Sequence, residues 1–382
     1  MRWQEDIVRI RNRELSVPII QGGMGIGVSL GNLAGAVAES GAMGVISSVN
    51  AGYREPDFPQ NPREANRRAL EQEIRKALAR ANGKGMVAVN IMYALNRYEV
   101  AVRTAVGAGA QAIISGAGLP LELPEYVEGS DVAIAPIVSS GKAAKLICKK
   151  WDMKYGRVPD FVVIEGPGAG GHLGFKREEV LQKTAQTPGE ILPEVLAELA
   201  VYEAKYNCRI PVFVGGGIFD GRDMAQMVRM GASGVQIGTR FIATEECDAS
   251  DVYKQVILNA KAEDIRIIAS PVGMPGRALN TPLIQGIQNG MHFGPDRCND
   301  CLRACPHGDL APYCISRALI AAVSGDVEHG LFFCGENVGR INRMMTVREL
   351  IAQILDEFLE CMSQGTVLQY NVHAVTSCFA VV

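Results

Sequence analysis

Only five histidines occur in the 382 residues, and one of them, His172, stands among five glycines in VIEGPGAGGHLG (163–174). An imidazole in an ordinary setting titrates near neutrality, so it can take or give a proton at a reacting centre. Glycines around it allow positive φ and close approach of a ligand. The run reads as a loose loop with little side-chain bulk against the ring, the alternative being a satisfied loop histidine with no chemistry. Three further glycine-rich turns are QGGMGIG (21–27), VGGGIFDG (214–221) and IGTRF (237–241). In the last two, the backbone N–H groups of Gly216, Gly217, Gly238 and Thr239, with the Thr239 hydroxyl, can surround a phosphate. The plainer reading is that these glycines only make tight turns. A second chemistry is written in CNDCLRACPHGDLAPYC, where Cys298, Cys301, Cys305 and Cys314 are separated by two, three and eight residues. Four thiolates at short spacing can converge on one metal centre, and Pro306 after the third cysteine fits a ferredoxin-type loop. A closed tetrahedral zinc site is the other metal reading, and four free thiols the third. Cys334 is a substitute ligand, whereas Cys361 and Cys378 stand too far along the chain. His292, His307, His329 and His373 lie beyond the other glycine turns and receive no role.

Elements that place such turns side by side can be read from residue 17 to about 245. Eight apolar, β-branched runs alternate with helical stretches: VPIIQGGM, GVISSV, MVAVNIM, AIISGAG, DVAIAPIVSS, FVVIEG, PVFVGGG and GVQIGTRF. Continuous rather than alternating apolar runs indicate strands buried on both faces, as in a parallel sheet covered by helices. LGNLAGAVAES, YEVAVRTAVGAG, GKAAKLICKKW and GRDMAQMVRMGA carry helical periodicity, and Gly41, Gly109 and Gly231 stand at helix ends. The expected fold is a (β/α)8 TIM barrel, with an open doubly wound sheet as the alternative. The active site of such a barrel lies at the C-terminal ends of its strands, with phosphate bound after strands seven and eight. Residues 55–82 read as a charged amphipathic helix with an exposed face. The alternation stops near 283, so the expected division is a barrel over 1–282 and a cysteine-bearing, partly helical subdomain over 283–382.

Composition narrows the classes of function. A net charge of −3, 48% hydrophobic residues and no long basic run exclude nucleic acid and anionic membranes as main partners. The opening MRWQEDIVRIRNRELS has no apolar core of a signal peptide, which makes the expected location cytoplasmic. Seven of the ten cysteines fall between Cys298 and Cys378, a crowding that favours metal or redox chemistry over disulfides.

QGGMG, VNI with Asn90, EGPGAGGHLG, VGGGI, QIGTRF and SPVGMPGRA together resemble the nitronate monooxygenase (2-nitropropane dioxygenase-like) family and the related FMN-dependent enoyl-[acyl-carrier-protein] reductases. The resemblance covers roughly residues 15–282. It implies an FMN-binding barrel with flavin contacts at Gly22, Gly23, Met24, Asn90, Glu165, Gly216, Gly217, Gly238 and Thr239, and His172 beside the flavin as catalytic acid or base. It also implies a small-molecule substrate. The residues fit those needs: a phosphate cradle, polar groups for the ribityl chain and ring edge, and open space over one ring face. Oxidation of alkyl nitronates is the expected reaction. Reduction of an enoyl thioester, with NAD(P)H or a ferredoxin-type donor, is the first alternative, and a non-catalytic flavin electron carrier the second. Gly168 stands where the reductases carry an acidic residue, whereas SPVGMPGRALN is closer to the reductase branch. The cysteine run resembles the loop that follows the barrel in the dienoyl-CoA reductase group, with a shorter last spacing. That resemblance implies a 4Fe-4S cluster near the flavin and a reductive, low-oxygen setting.

Overall fold

The computed structural model describes residues 7–294, 298–303, 305 and 311–364. Its centre is a closed barrel of eight parallel strands: β1 (Ile19–Gln21), β2 (Met43–Ser47), β3 (Met86–Met92), β4 (Ala112–Gly116), β5 (Ala133–Val138), β6 (Val162–Glu165), β7 (Val212–Gly215) and β8 (Gly234–Ile237). Strand neighbours follow chain order, and β8 closes on β1 through the pair Gln236 and Ile20. Each strand falls within one of the eight apolar runs of the sequence, apart from the first residue of β2.

Alternate residues explain why those runs are continuous. Ile20, Val45, Ala88, Ile114, Ala135, Val163 and Phe213 fill the interior, where Phe161 and Phe213 meet edge to face at 5.9 Å. Ile19, Ile46, Val89, Ile113, Ile134 and Ile164 point outward and are equally buried beneath the helices. An N-terminal hairpin, Val8–Ile10 with Arg13–Leu15, adds Ile10 and Leu15 to the interior cluster.

The outer ring includes α1 (Gly31–Glu39), α2 (Pro62–Ala81), α3 (Tyr98–Gly107), α4 (Gly141–Tyr155), α5 (Pro188–Tyr206) and α6 (Gly221–Arg229). Gly41, Gly109 and Gly231 take φ of 85°, 88° and 106°, the left-handed exit expected of a glycine after a helix. In α2 the two faces separate as the charge pattern predicts: Ala65, Ala69, Ile74 and Ala77 are buried, while Arg67 pairs outside with Glu64 and Glu71.

The start of α1 has no capping side chain of its own, because Leu30 occupies the N-cap. Its orphan N–H groups are instead taken by Asp248, whose Oδ2 accepts from Leu30 and Leu33 at 2.8 and 3.1 Å and whose Oδ1 accepts from Asn32 at 3.3 Å. Glu73 accepts from Gly31 at 2.8 Å. Asp248→Ala leaves buried donors without an acceptor and is expected to lower unfolding free energy by about 2 kcal/mol. Urea denaturation checks this, and an unchanged midpoint would remove Asp248 as the cap.

The C-terminal segment, expected as a subdomain over 283–382, contains two longer helices. A helix, α7 (Ile315–Ser324), is followed by α8 (Val347–Gln364), which packs against α6 and also touches α1. Gly221 at the start of α6 donates to Glu357 of α8 at 3.0 Å. The last helix thus packs on the helices that follow β7 and β1. About 110 residues without a barrel strand separate it from β8. Among the described residues no helix is long and apolar enough to cross a membrane.

Candidate active site

A cavity of about 360 Å³ opens at the C-terminal ends of the strands. It is lined by all ten residues expected from the sequence: Gly22, Gly23 and Met24 after β1, Asn90 on β3, Glu165 ending β6, His172, Gly216 and Gly217 after β7, and Gly238 and Thr239 after β8. Its size lies within the range of small-molecule and cofactor sites. The glycines are there for space. A Cβ on Gly23 would press into Asn90, with Cγ at 3.0 Å, and Gly216, at φ 86°, has the Gly166 carbonyl carbon 2.8 Å from where a Cβ would stand. Gly217 also lies in the left-handed region, at 107°. Thr239 Oγ1 accepts from the Gly335 N–H at 2.8 Å, so its own proton remains available to an anion. These groups form a cradle in which side chains would intrude, and an FMN phosphate and ring system fit it.

His172 does not stand in a loose loop. Gly171–His172 is a short strand registered antiparallel against Gly276 and Arg277 in a three-stranded sheet with Ile265–Ala269 and Pro275–Leu279. The preceding turn is pinned by Arg277, whose Nη1 donates to the carbonyls of Pro167 and Ala169, each at 2.6 Å. The imidazole meets Phe333 edge to face at 5.2 Å, which corrects the expectation of sparse side-chain surroundings. Phe333 lies 161 residues further along the chain, so no local signal announces it. His172 Nε2 is 2.8 Å from Ser270 Oγ. Ser270 Oγ accepts from Val272 N–H at 3.3 Å. The Ser270 oxygen has two lone pairs and accepts from Nε2–H as well, the tautomer that leaves the Nδ1 lone pair free to take a proton.

Burial pushes the His172 pKa down to about 4, so the ring is neutral at ordinary pH rather than poised between its two forms. Burial pushes Glu165 the other way, up to about 7. Two titratable groups on one cavity wall are therefore displaced in opposite directions, the pattern of acid–base sites.

The sequence reading missed the contribution of GLFFCGEN. Phe333, Cys334, Gly335, Glu336 and Asn337 all line the cavity. Asn337 Nδ2 donates to the Gly217 carbonyl at 2.7 Å, and Glu336 N–H to the Gly168 carbonyl at 3.1 Å. Cys334 is buried in this wall beside Arg277. The clue was a Gly- and Phe-rich stretch resembling the loops of the barrel, although it follows no barrel strand.

Cys301 lies within electrostatic reach of Cys298, Cys305 and Cys314. None is in a disulfide. Among the described residues no three His, Cys, Asp or Glu side chains are gathered around a position for a single metal ion. Cys361 is on α8, while Cys378, His307 and His373 lie outside the described residues.

Comparison with known proteins gives the same direction. The model of the nitronate monooxygenase family matches residues 9–357. A (3aS,4S,5R,7aS)-5-hydroxy-7a-methyl-1-oxo-octahydro-1H-indene-4-carboxyl-CoA dehydrogenase of Rhodococcus jostii is 28% identical over 276 residues, covering 71% of this chain and 65% of that protein. The match thus spans slightly less than two thirds of that relative's length. A probable nitronate monooxygenase of Staphylococcus saprophyticus is 33% identical over 125 residues, 33% of each chain. Among solved structures, FabK from Thermotoga maritima is similar with a TM-score of 0.67 and 27% identity, over 92% of this chain and 96% of that one.

Proposed function

The chain belongs to the nitronate monooxygenase family of flavin-dependent oxidoreductases, and from that premise we propose that it binds FMN in the cavity and oxidises alkyl nitronates or similar small carbon acids. The observation that carries this reading is His172 on the cavity wall, its ring held between Ser270 and Phe333. A neutral imidazole is ready to accept a proton and is a poor donor of one, which suits oxidation of a carbon acid better than protonation of a reduced alkene.

In this reading the N–H groups of Gly216, Gly217, Gly238 and Thr239 hold the phosphate, with the Thr239 hydroxyl as a further donor. Asn90 and Glu165 serve the ribityl hydroxyls and ring edge, and Gly22, Gly23 and Met24 leave room for the ring. When bound, FMN supplies a two-electron acceptor. His172 takes the α-proton of a neutral nitro compound, or directs a hydrogen bond to an anionic nitro group. Ser270 holds the ring in place, and Phe333 keeps water from its flank.

A second reading, reduction of an enoyl thioester, is favoured by one feature. An open cleft of about 910 Å³, lined by Leu173–Glu179 and Gly273–Pro275 among others, shares Ser139, Gly174 and Met274 with the cavity. It offers a path for a long carrier arm. The flavin-loaded protein under anaerobic conditions separates the two. Bleaching of the flavin by propane-2-nitronate without NAD(P)H is expected. Bleaching by NAD(P)H alone, with colour restored by a crotonyl thioester, would replace the oxidase reading with the reductase. A response only to reduced ferredoxin would make the protein an electron carrier.

A further inference from the structure

Residues 47–50, which run on from β2, serve two different spaces. Ser47 and Val49 line the cavity, whereas Ser48 and Asn50 line a smaller hollow of about 90 Å³ between α2 and α3. That is room for several waters, or for one tetrahedral oxyanion. Ser48 is only 7% exposed, and its buried hydroxyl has no hydrogen-bond partner among the described residues. A hydroxyl left in that condition is costly, and a ligand in the hollow would supply the missing partner.

The remaining polar lining consists mainly of donors. Asn50 Nδ2 donates one hydrogen to Ser316 Oγ at 3.1 Å, and Asn66 Nδ2 one to Asn50 Oδ1 at 3.2 Å. The Gly52 N–H fixes Asn66 Oδ1 at 2.9 Å, so the orientation of both carboxamides is set and each keeps a second N–H. Pro62 and Arg97, at the starts of α2 and α3, also line the hollow, and neither helix has a side-chain cap. Two positive helix ends thus adjoin one space, a favourable setting for an anion.

Three arginines line the hollow against one carboxylate, that of Asp300, among the described residues. Arg67 is taken up by its own helix, through Glu64 at 2.9 Å and Glu71. Arg97 Nη2 is 3.6 Å from Asp300 Oδ2, while Asp300 Oδ1 accepts from Asn96 Nδ2 at 2.7 Å. Arg63 is exposed at the rim and pairs with no carboxylate among the described residues. Partial burial, and then the charge of Arg63, lower the Arg97 pKa from its ordinary value, a strain between like charges that a bound anion relieves.

We propose that this hollow binds a phosphate group, free or as the monoester end of a larger ligand, at a site separate from the cradle in the cavity. Arg63 and Arg97 supply the charge, in the planar geometry that suits phosphate oxygens. Ser48, Asn50 and Asn66 supply neutral hydrogen bonds. Leu70, Val100 and Ala101 on the helix flanks give an apolar wall to the organic part of a monoester.

The test is calorimetric titration of inorganic phosphate, and separately of adenosine monophosphate, into the full chain saturated with FMN, whose own phosphate then covers the cradle. One site per chain is expected, weakening as salt is raised. Arg63→Ala and Arg97→Ala should each weaken binding about tenfold or more, with circular dichroism confirming the fold. Asp300→Asn keeps the acceptor for Asn96 and removes the charge beside Arg97, so it should tighten binding several-fold. Tighter binding of the nucleotide identifies a monoester ligand, and equal or tighter binding of inorganic phosphate identifies the free ion. No saturable binding of either, or binding undiminished in both arginine variants, overturns the proposal. The inference does not rest on the flavin reading: if the protein takes up no FMN, the arginine variants still report on the hollow alone.

Discussion

His172→Ala is expected to retain FMN while slowing turnover by roughly 10² to 10⁴, the loss that accompanies removal of a positioned acid or base. The side chain reaches into the cavity but supports little of the fold, since its contacts are one hydroxyl and one ring edge. Its pH signature is specific. With the pKa lowered to about 4 by burial, the basic form persists through the neutral range, and kcat/KM should fall only as pH drops towards that value. An exposed histidine would give an inflection near ~6.5. The stability of the apoprotein follows with the same sign. The unfolded chain binds a proton at this position that the folded chain refuses, so stability falls as pH drops from about 6.5 towards 4. The Ala variant should lose that part of the slope. Turnover unchanged in the variant would remove His172 from the mechanism.

Gly216→Ala should weaken FMN binding by at least about a hundredfold, equivalent to about 2.7 kcal/mol. Two costs coincide at this position. A non-glycine residue at φ 86° carries strain of about 1–3 kcal/mol. Its Cβ would also meet the backbone of Gly166, with the carbonyl carbon at 2.8 Å, and would push apart the turns after β6 and β7. Gly238 provides the internal control. The nearest atom to a Cβ there is Met24 Sδ at 3.7 Å, an ordinary contact, so Gly238→Ala should change affinity only a few-fold. Titration of apoprotein with FMN, followed by quenching of flavin fluorescence, measures both. Equal affinities for the two variants would place the phosphate elsewhere.

The barrel was legible because burial on both faces writes itself as continuous apolar runs, and the family resemblance rested on turns that do meet in one cavity. Ile19 and Ile20, adjacent in sequence, point to opposite sides of β1 and are both fully buried. What could not be read was whatever reaches the site from far along the chain. Asp248 caps a helix more than two hundred residues earlier. Phe333 and Ser270 set the environment of His172, and their absence from the local pattern made a firmly held strand look like a loose turn. Neighbouring glycines show where side chains are missing, not which distant side chain fills the space. The last helix is a related case, since its periodicity specifies an amphipathic helix but not the helices it packs against.

The wall formed by residues 333–337 bears on the order in which the protein is made. A nascent chain that has emerged as far as residue 330 already possesses all eight strands and His172. It still lacks Phe333, the Asn337 clamp on Gly217, and the helix that covers α6. Completion of the cavity wall therefore waits for residues more than ninety positions beyond the last barrel strand.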